Sequence, residues 1–272
     1  MGTENRNPRS YGLDTMSANQ IVRLMNEEEM AVMRCLQLAE EAIAVAATKA
    51  AEAFQNGGRV FYVGAGTSGR MATMDAAEMP PTFGIEPGHF IAIIAGGSSA
   101  GQTAIEDAED DTHASTVALN EYGITKSDIV IGIAASGSTP FVVSAVRHAR
   151  QKGVWTCGIS NNQKTPLLEA ADHPILLDTG PEVLTGSTRL KAGTSQKLVL
   201  NRISTAAMVL SGKVIENLMV DVKAKNSKLK ERCIRIVREL APVTKDEALE
   251  ALEQNRWNVR QALGALNAIR SR

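Results

Sequence analysis

A chain of 272 residues is close to the limit for one hydrophobic core, so a main domain with a smaller appendage is expected. Its 29 Lys and Arg against 30 Asp and Glu leave a formal charge of −1, which offers no general attraction to nucleic acid or to an anionic membrane. A 44% hydrophobic content excludes a disordered chain, and 4% aromatic residues are too few for a base-stacking surface.

Residues 1–16 are polar, with Pro8 and Gly12, lack the apolar stretch of a secretion signal, and read as an extended arm. Ser17 and Gln20 form a capping-box pattern before two helices, near Ala18–Cys35 and Glu40–Phe54, the second stopped by Gly57-Gly58. Short apolar runs follow at Arg59–Val63, Phe90–Ala95, Asp128–Ala135, Trp155–Ser160 and Pro174–Leu177. Amphipathic stretches such as Thr139–Gln151 and Leu167–Ala171 lie between them. This alternation predicts an α/β fold, a parallel sheet covered by helices on both faces, with its strand-end loops along one edge. Beyond Leu177 the pattern is all-helical: a long segment at Leu190–Ser211, a basic amphipathic helix near Val222–Leu240, and a helical pair capped by Thr244 and Glu247. No apolar run approaches the roughly 18 residues of a membrane span, so a cytoplasmic protein with no membrane partner is expected. Cys35, Cys157 and Cys233 are odd in number and read as reduced, packed thiols.

Two loops carry ligand-binding chemistry. The first apolar run enters Gly64-Ala65-Gly66-Thr67-Ser68-Gly69, where glycines allow close backbone approach and a helix start offers free N–H groups to an anion. The letters match a dinucleotide fingerprint, but the second run ends in Ala95-Gly96-Gly97, with no carboxylate for a ribose. The third run enters Ser136-Gly137-Ser138-Thr139-Pro140, again hydroxyl-rich and at a helix start. One such Ser or Thr alone reads as a helix cap. Two loops of this kind on one sheet edge point to a compact phosphate on a small molecule.

Acid–base candidates are Glu78, where Pro80-Pro81 is expected to stop a helix, the run Glu106–Asp111 with Glu109, and Glu182. A solvated carboxylate is the simpler reading of any one of them, and of Asp110 and Asp111 in particular. The histidines His89, His113, His148 and His173 have no zinc-ligand spacing, so no metal is expected.

The segments TENRNPRS, VGAGTSGR, DAAEMPPTFG, IAGG, EDAEDD, GIAASGSTP, GPEVLTGSTRLKAGTSQKLVLN and ENLMVDV together resemble the N-acetylmuramic acid 6-phosphate etherases. The block Gly180–Asn201 is also similar to the glucokinase regulatory protein, a binding protein with two such domains. The resemblance implies a three-layer αβα sugar isomerase (SIS) fold and removal of the lactyl ether from N-acetylmuramic acid 6-phosphate, giving N-acetylglucosamine 6-phosphate and D-lactate. It implies Glu78 as the acid for departing lactate and Glu109 as the base at carbon 2, with Glu182 an alternative base. Gly66, Thr67, Ser68, Ser136, Gly137, Ser138, Thr139 and Glu182 are the implied substrate-binding positions. A homodimer is implied, and no cofactor, because the substrate aldehyde itself acidifies the reacting proton.

Ser138 stands where these etherases usually carry Arg, and Phe141 where they carry Tyr; Met71 and Met79 also replace commoner residues. The missing Arg removes a charge-assisted phosphate donor. The chain partitions into an arm with helices (1–49), a SIS domain (50–213) and a C-terminal helical region (214–272). Around Trp257 and Leu263, within 240–272, that region is similar to ubiquitin-associated helical modules, read here as packing or dimer support. A phosphosugar isomerase on the same fold and a non-catalytic phosphosugar sensor remain the alternatives.

Overall fold

The computed structural model describes residues 2–268 except 104, 106, 223 and 225, so Glu106 and the chain end near Arg270 lie outside the described residues. Two units emerge, one from the residues up to Ala77 and from Gly88–Ala207, the other from Glu78–Pro87 and from Met208 onward. Relative to the partition drawn from the sequence, the second unit also takes Glu78–Pro87 and residues 208–213, and the arm with its helices falls in the first unit.

The first unit is built on five parallel strands, β1 (Val60–Gly64), β2 (Phe90–Ile94), β3 (Ile129–Ala134), β4 (Trp155–Ser160) and β5 (His173–Leu176), in the order β2-β1-β3-β4-β5. β1 and β3 are buried along their whole length, which is why they read as unbroken apolar runs. Their registers, Val60 opposite Ile129 and Gly64 opposite Ile133, end both strands level with one another. Helices α1 (Ala18–Leu38), α2 (Glu40–Gln55), the first three turns of α3 (Gly66–Phe83), α4 (Thr112–Glu121), α5 (Pro140–Gln151), α6 (Pro166–Ala170) and most of α7 (Lys191–Leu210) belong to this unit. α5 packs Val142, Val143, Val146 and Ala149 into the core around Phe61, Val63 and Val130. The caps fall as the sequence predicts: Ser17 Oγ accepts the Gln20 N–H while Gln20 Oε1 accepts the Ser17 N–H, and Pro140 opens α5.

Four expectations are corrected. The arm is no extended strand but three short turns, Gly2–Glu4, Pro8–Ser10 and Leu13–Thr15, held by long-range hydrogen bonds. α3 does not stop after Glu78; it runs through Pro80 and Pro81 to Phe83, and Gly84 N–H closes on the Pro80 carbonyl at 3.0 Å. Proline φ suits a helix, and the cost is confined to the carbonyls of Ala76 and Ala77, which lose their helical donors. The region after Leu177 is not all-helical, because β6 (Val214–Ile215) and β7 (Leu218–Met219) pair antiparallel. The basic helix α8 begins at Ser227, where the Asn226 side chain accepts the Leu229 N–H.

In the second unit, α8 (Ser227–Leu240), α9 (Lys245–Gln254) and α10 (Val259–Ala265) enclose a core of Val237, Leu252, Val259 and Leu263. Thr244 and Glu247 cap α9 reciprocally, as predicted. Arg260 grips Asp221 through two bonds of 2.9 and 3.0 Å, fixing α10 to the segment after β7. The three cysteines are free and buried. Among the described residues no helix is long and apolar enough to cross a membrane.

Candidate active site

The chain leaves β1 toward β2 on one side and later returns to place β3 on the other. Strand-end loops that diverge in this way open a crevice at the carboxyl ends of the strands. There lies a cavity of about 420 Å³. The loop after β1 contributes Gly66, Thr67 and Ser68 to its wall; the loop after β3 contributes Ser136, Ser138 and Thr139. α3 starts at Gly66, so the first-turn amides of Gly66, Thr67 and Ser68 lack helical acceptors beside this cavity. α5 starts at Pro140, which has no N–H, and its Val142 N–H already donates to the Thr139 carbonyl at 3.1 Å. A larger cavity of about 540 Å³ beside β2 is lined mainly by apolar groups such as Ile93, Ala118 and Phe141, and offers a phosphate few donors.

The hydroxyls of the two loops differ in commitment. Ser68 is buried and donates to Gln196 Oε1 at 2.8 Å. Gln196 in turn donates to Asn161 Oδ1 at 2.9 Å. In the other loop Ser136 Oγ accepts the Ser138 N–H at 3.2 Å and lies 3.5 Å from Thr139 Oγ1. Gly137 does not line the cavity; it makes the loop possible. Its φ is +68°, and a Cβ there would lie 2.3 Å from Thr165 Oγ1 and 2.4 Å from Ser160 Oγ.

Among the described residues, no Lys or Arg lines this cavity, and Ser138 stands on its wall. Three carboxylates do line it: Glu109 and Asp110 from the short turn Ala108–Asp110, and Glu4 from the arm. Donors therefore come from backbone amides and hydroxyls, while the acidic groups are left for the uncharged part of a ligand.

Glu78 and Glu182 are not among the lining residues. Glu78 is exposed on α3, in the segment that belongs to the second unit. Glu182 is fully buried and caps α7, its two oxygens accepting the Lys191 N–H at 3.1 Å and the Ala192 N–H at 2.9 Å. Burial pushes its carboxyl above the ordinary range against the pull of those amides. Next to it, Lys191 Nζ meets Glu28 Oε2 at 2.7 Å, and Asn7 Nδ2 donates to the same oxygen at 2.7 Å. Burial alone would raise Glu28, but these partners hold it below the ordinary value.

Glu4 and Thr188 are the wall residues that sequence reasoning missed. Both lie inside recognised family segments, but neither has a local pattern, since a long-range contact places the arm.

The model of the glucokinase regulatory protein N-terminal SIS domain matches residues 42–150, and that of the SIS domain matches residues 110–203. The N-acetylmuramic acid 6-phosphate etherase of Geobacillus thermodenitrificans (strain NG80-2) is 49% identical over 263 residues, 97% of this chain and 89% of its own length. That of Yersinia pestis (strain Pestoides F) is 47% identical over 261 residues, 96% of this chain and 88% of its own. Among solved structures, a phosphoheptose isomerase from Francisella tularensis superposes with a TM-score of 0.56 at 20% identity, covering 71% of this chain and 98% of its own. One from Neisseria gonorrhoeae gives 0.53 at 20% identity, with 69% and 97% covered. These likenesses establish the SIS fold.

Proposed function

The chain belongs to the N-acetylmuramic acid 6-phosphate etherase family, and we propose from that membership that it cleaves the D-lactyl ether of N-acetylmuramic acid 6-phosphate. The products are N-acetylglucosamine 6-phosphate and D-lactate, with one water consumed. The observation that carries this reading is the meeting of two hydroxyl-rich loops and the Glu109 carboxylate at one cavity of about 420 Å³.

The phosphate takes the amides at the start of α3, with the hydroxyls of Thr67, Ser136, Ser138 and Thr139 around it, while Ser68 and the turn formed by Gly137 shape the loops. Ring opening exposes the aldehyde at carbon 1, which acidifies the proton at carbon 2. Glu109 removes that proton, and the C3–O bond to lactate breaks as the C2–C3 double bond forms. The proton that the departing lactate oxygen takes up is assigned to Glu78 from its place in the family segment DAAEMPPTFG alone, since it lies off the wall of this cavity. Water then adds across the double bond, its hydroxyl to carbon 3 and a proton to carbon 2. No cofactor enters these steps. Glu182, with both oxygens occupied by backbone amides, supports the site as the cap of α7.

We assign the protein to the cytoplasm, where free cysteines stay reduced. A homodimer is the proposed assembly, and the exposed apolar side chains Val22, Met30, Met33 and Leu38 of α1 are candidates for its interface.

The deciding experiment is incubation with N-acetylmuramic acid 6-phosphate and an enzymatic assay for D-lactate. Stoichiometric lactate is expected. Binding without lactate would favour a phosphosugar sensor, and interconversion of ketose and aldose phosphates would favour an isomerase.

A further inference from the structure

The arm residue Glu4 has a position that its local sequence does not explain. It is exposed, lines the cavity of the two phosphate loops, and among the described residues no group donates to its carboxylate. Its backbone is nevertheless anchored on both sides. Thr3 N–H donates to Asn162 Oδ1 at 3.2 Å, and Asn162 Nδ2 donates back to Thr3 Oγ1 at 2.8 Å. Asn162 Nδ2 also reaches the Ala135 carbonyl at 2.9 Å, at the root of the second phosphate loop. On the other side Asn7 is buried against Glu28. A segment anchored on both sides holds that carboxylate at the cavity wall, where a ligand in the cavity meets it.

The opposite surface of the carboxylate is Gly186, where a Cβ would lie 3.2 Å from Glu4 Oε2. Gly186 has φ +73°, and Thr188, two residues on, is also part of the cavity wall. Two unit negative charges about 4 Å apart repel by about 4 kcal/mol at an effective dielectric near 20. A phosphate seated at the start of α3 therefore does not share its position with Glu4. The carboxylate is left to accept hydrogen bonds, and the uncharged part of an amino-sugar phosphate carries hydroxyl and amide donors.

We propose that Glu4 is a substrate-contacting, specificity-determining residue, its carboxylate accepting hydrogen bonds from the sugar hydroxyl or amide groups while the strand-end loops hold the phosphate. This rests on the reading that the cavity takes an N-acetylated hexosamine phosphate.

Calorimetric titration with N-acetylglucosamine 6-phosphate and, separately, inorganic phosphate tests it on the parent, Glu4→Ala, Glu4→Gln and Thr67→Val. Glu4→Ala should bind the sugar phosphate about ten- to hundredfold more weakly, the range for a hydrogen bond to a charged group, with phosphate binding unchanged. Glu4→Gln, which keeps one acceptor, should fall between. Thr67→Val should weaken both probes. Parent-like binding of the sugar phosphate by Glu4→Ala overturns the proposal. So does an equal loss of both probes with a lowered melting point, which would make Glu4 an anchor of the arm. A parent that binds sugar phosphate no better than inorganic phosphate overturns it as well. The D-lactate assay on the parent is read independently: a selective Glu4 effect without lactate keeps the contact and rejects the reaction.

Discussion

The strand-end loops and the block that runs from Gly180 into α7 are both rich in polar residues, yet they spend them in opposite ways. Around the cavity, Thr67, Ser138, Glu109 and Glu4 have side-chain groups that no described residue engages. Behind it, Glu182, Lys191, Ser195 and Gln196 are buried and bonded to one another, to backbone or to Glu28 and Asn161. The block is the more distinctive stretch of sequence, and the loops are the chemically available one. A buried group that is fully hydrogen-bonded stabilises; a group left open at a cavity is free to act on a ligand.

The largest effect expected on the cavity side is Glu109→Gln. Losing a general base typically costs about 10²–10⁴ in rate, and here the melting point should barely move. In heavy water this variant should lose exchange at carbon 2, whereas Glu78→Gln should retain exchange but stop releasing lactate. Lactate release by Glu78→Gln at the parent rate would remove it as the acid, and normal exchange by Glu109→Gln would remove it as the base.

On the block side, Lys191→Met takes the buried cation from Glu28 Oε2 and leaves Arg9, 2.9 Å from Oε1, as its remaining cation. Losing one hydrogen bond to a charged group costs about 1.5–3 kcal/mol, so denaturant unfolding should shift well before activity of the folded fraction does. Glu182→Gln should cost about 2 kcal/mol, because an amide NH₂ faces one of the two helix amides that the carboxylate now accepts. A Glu182→Gln protein that is fully stable but inactive would erase the distinction between the two regions.

Ser136→Ala is smaller still, about a tenfold rise in KM with little change in kcat, since it removes one neutral donor from a phosphate contact.

Acid titration separates the carboxylates within the block. Glu28 is held below its ordinary value of 4.5, so its stabilisation is complete above that pH and disappears as pH falls through the lower folded value. The stability gap between the parent and Glu28→Gln should therefore narrow on acidification below about 4.5. Glu182 is raised by burial, so its ionised form is the costly one, and the parent regains stability as pH falls toward the ordinary 4.5. The gap to Glu182→Gln should widen over that interval. Gaps that change in the same direction on acidification for both variants would contradict these assignments.

Much of the sheet was legible because β1, β3 and β4 are covered on both faces and so appear as continuous apolar runs between turn residues. Helix caps such as Ser17 and Thr244 were legible because their geometry is local. α4 was not, since THASTVALNE has only Val117 and Leu119 as large apolar side chains and no clear stripe. Loop chemistry could be read at Thr67 and Ser136, where glycine, hydroxyl and helix start coincide. Glu4 could not, because its place depends on Thr3 meeting Asn162, a contact 159 residues apart that no window contains. Glu182 stood out for its surroundings in the sequence, and only burial reveals that both of its oxygens are taken.

The Thr3–Asn162 clasp also bears on the order in which the molecule is made. During synthesis Thr3 emerges 159 residues ahead of Asn162, and Val60 emerges 69 ahead of Ile129, its partner on β3. Closing so long a loop costs little more than closing one of half the length, but it waits until both ends exist. A nascent chain halted before Asn162 thus holds both phosphate loops while Thr3 and Glu4 lack their anchor. One wall of the cavity is supplied by residues translated well before the anchor that sets them in place.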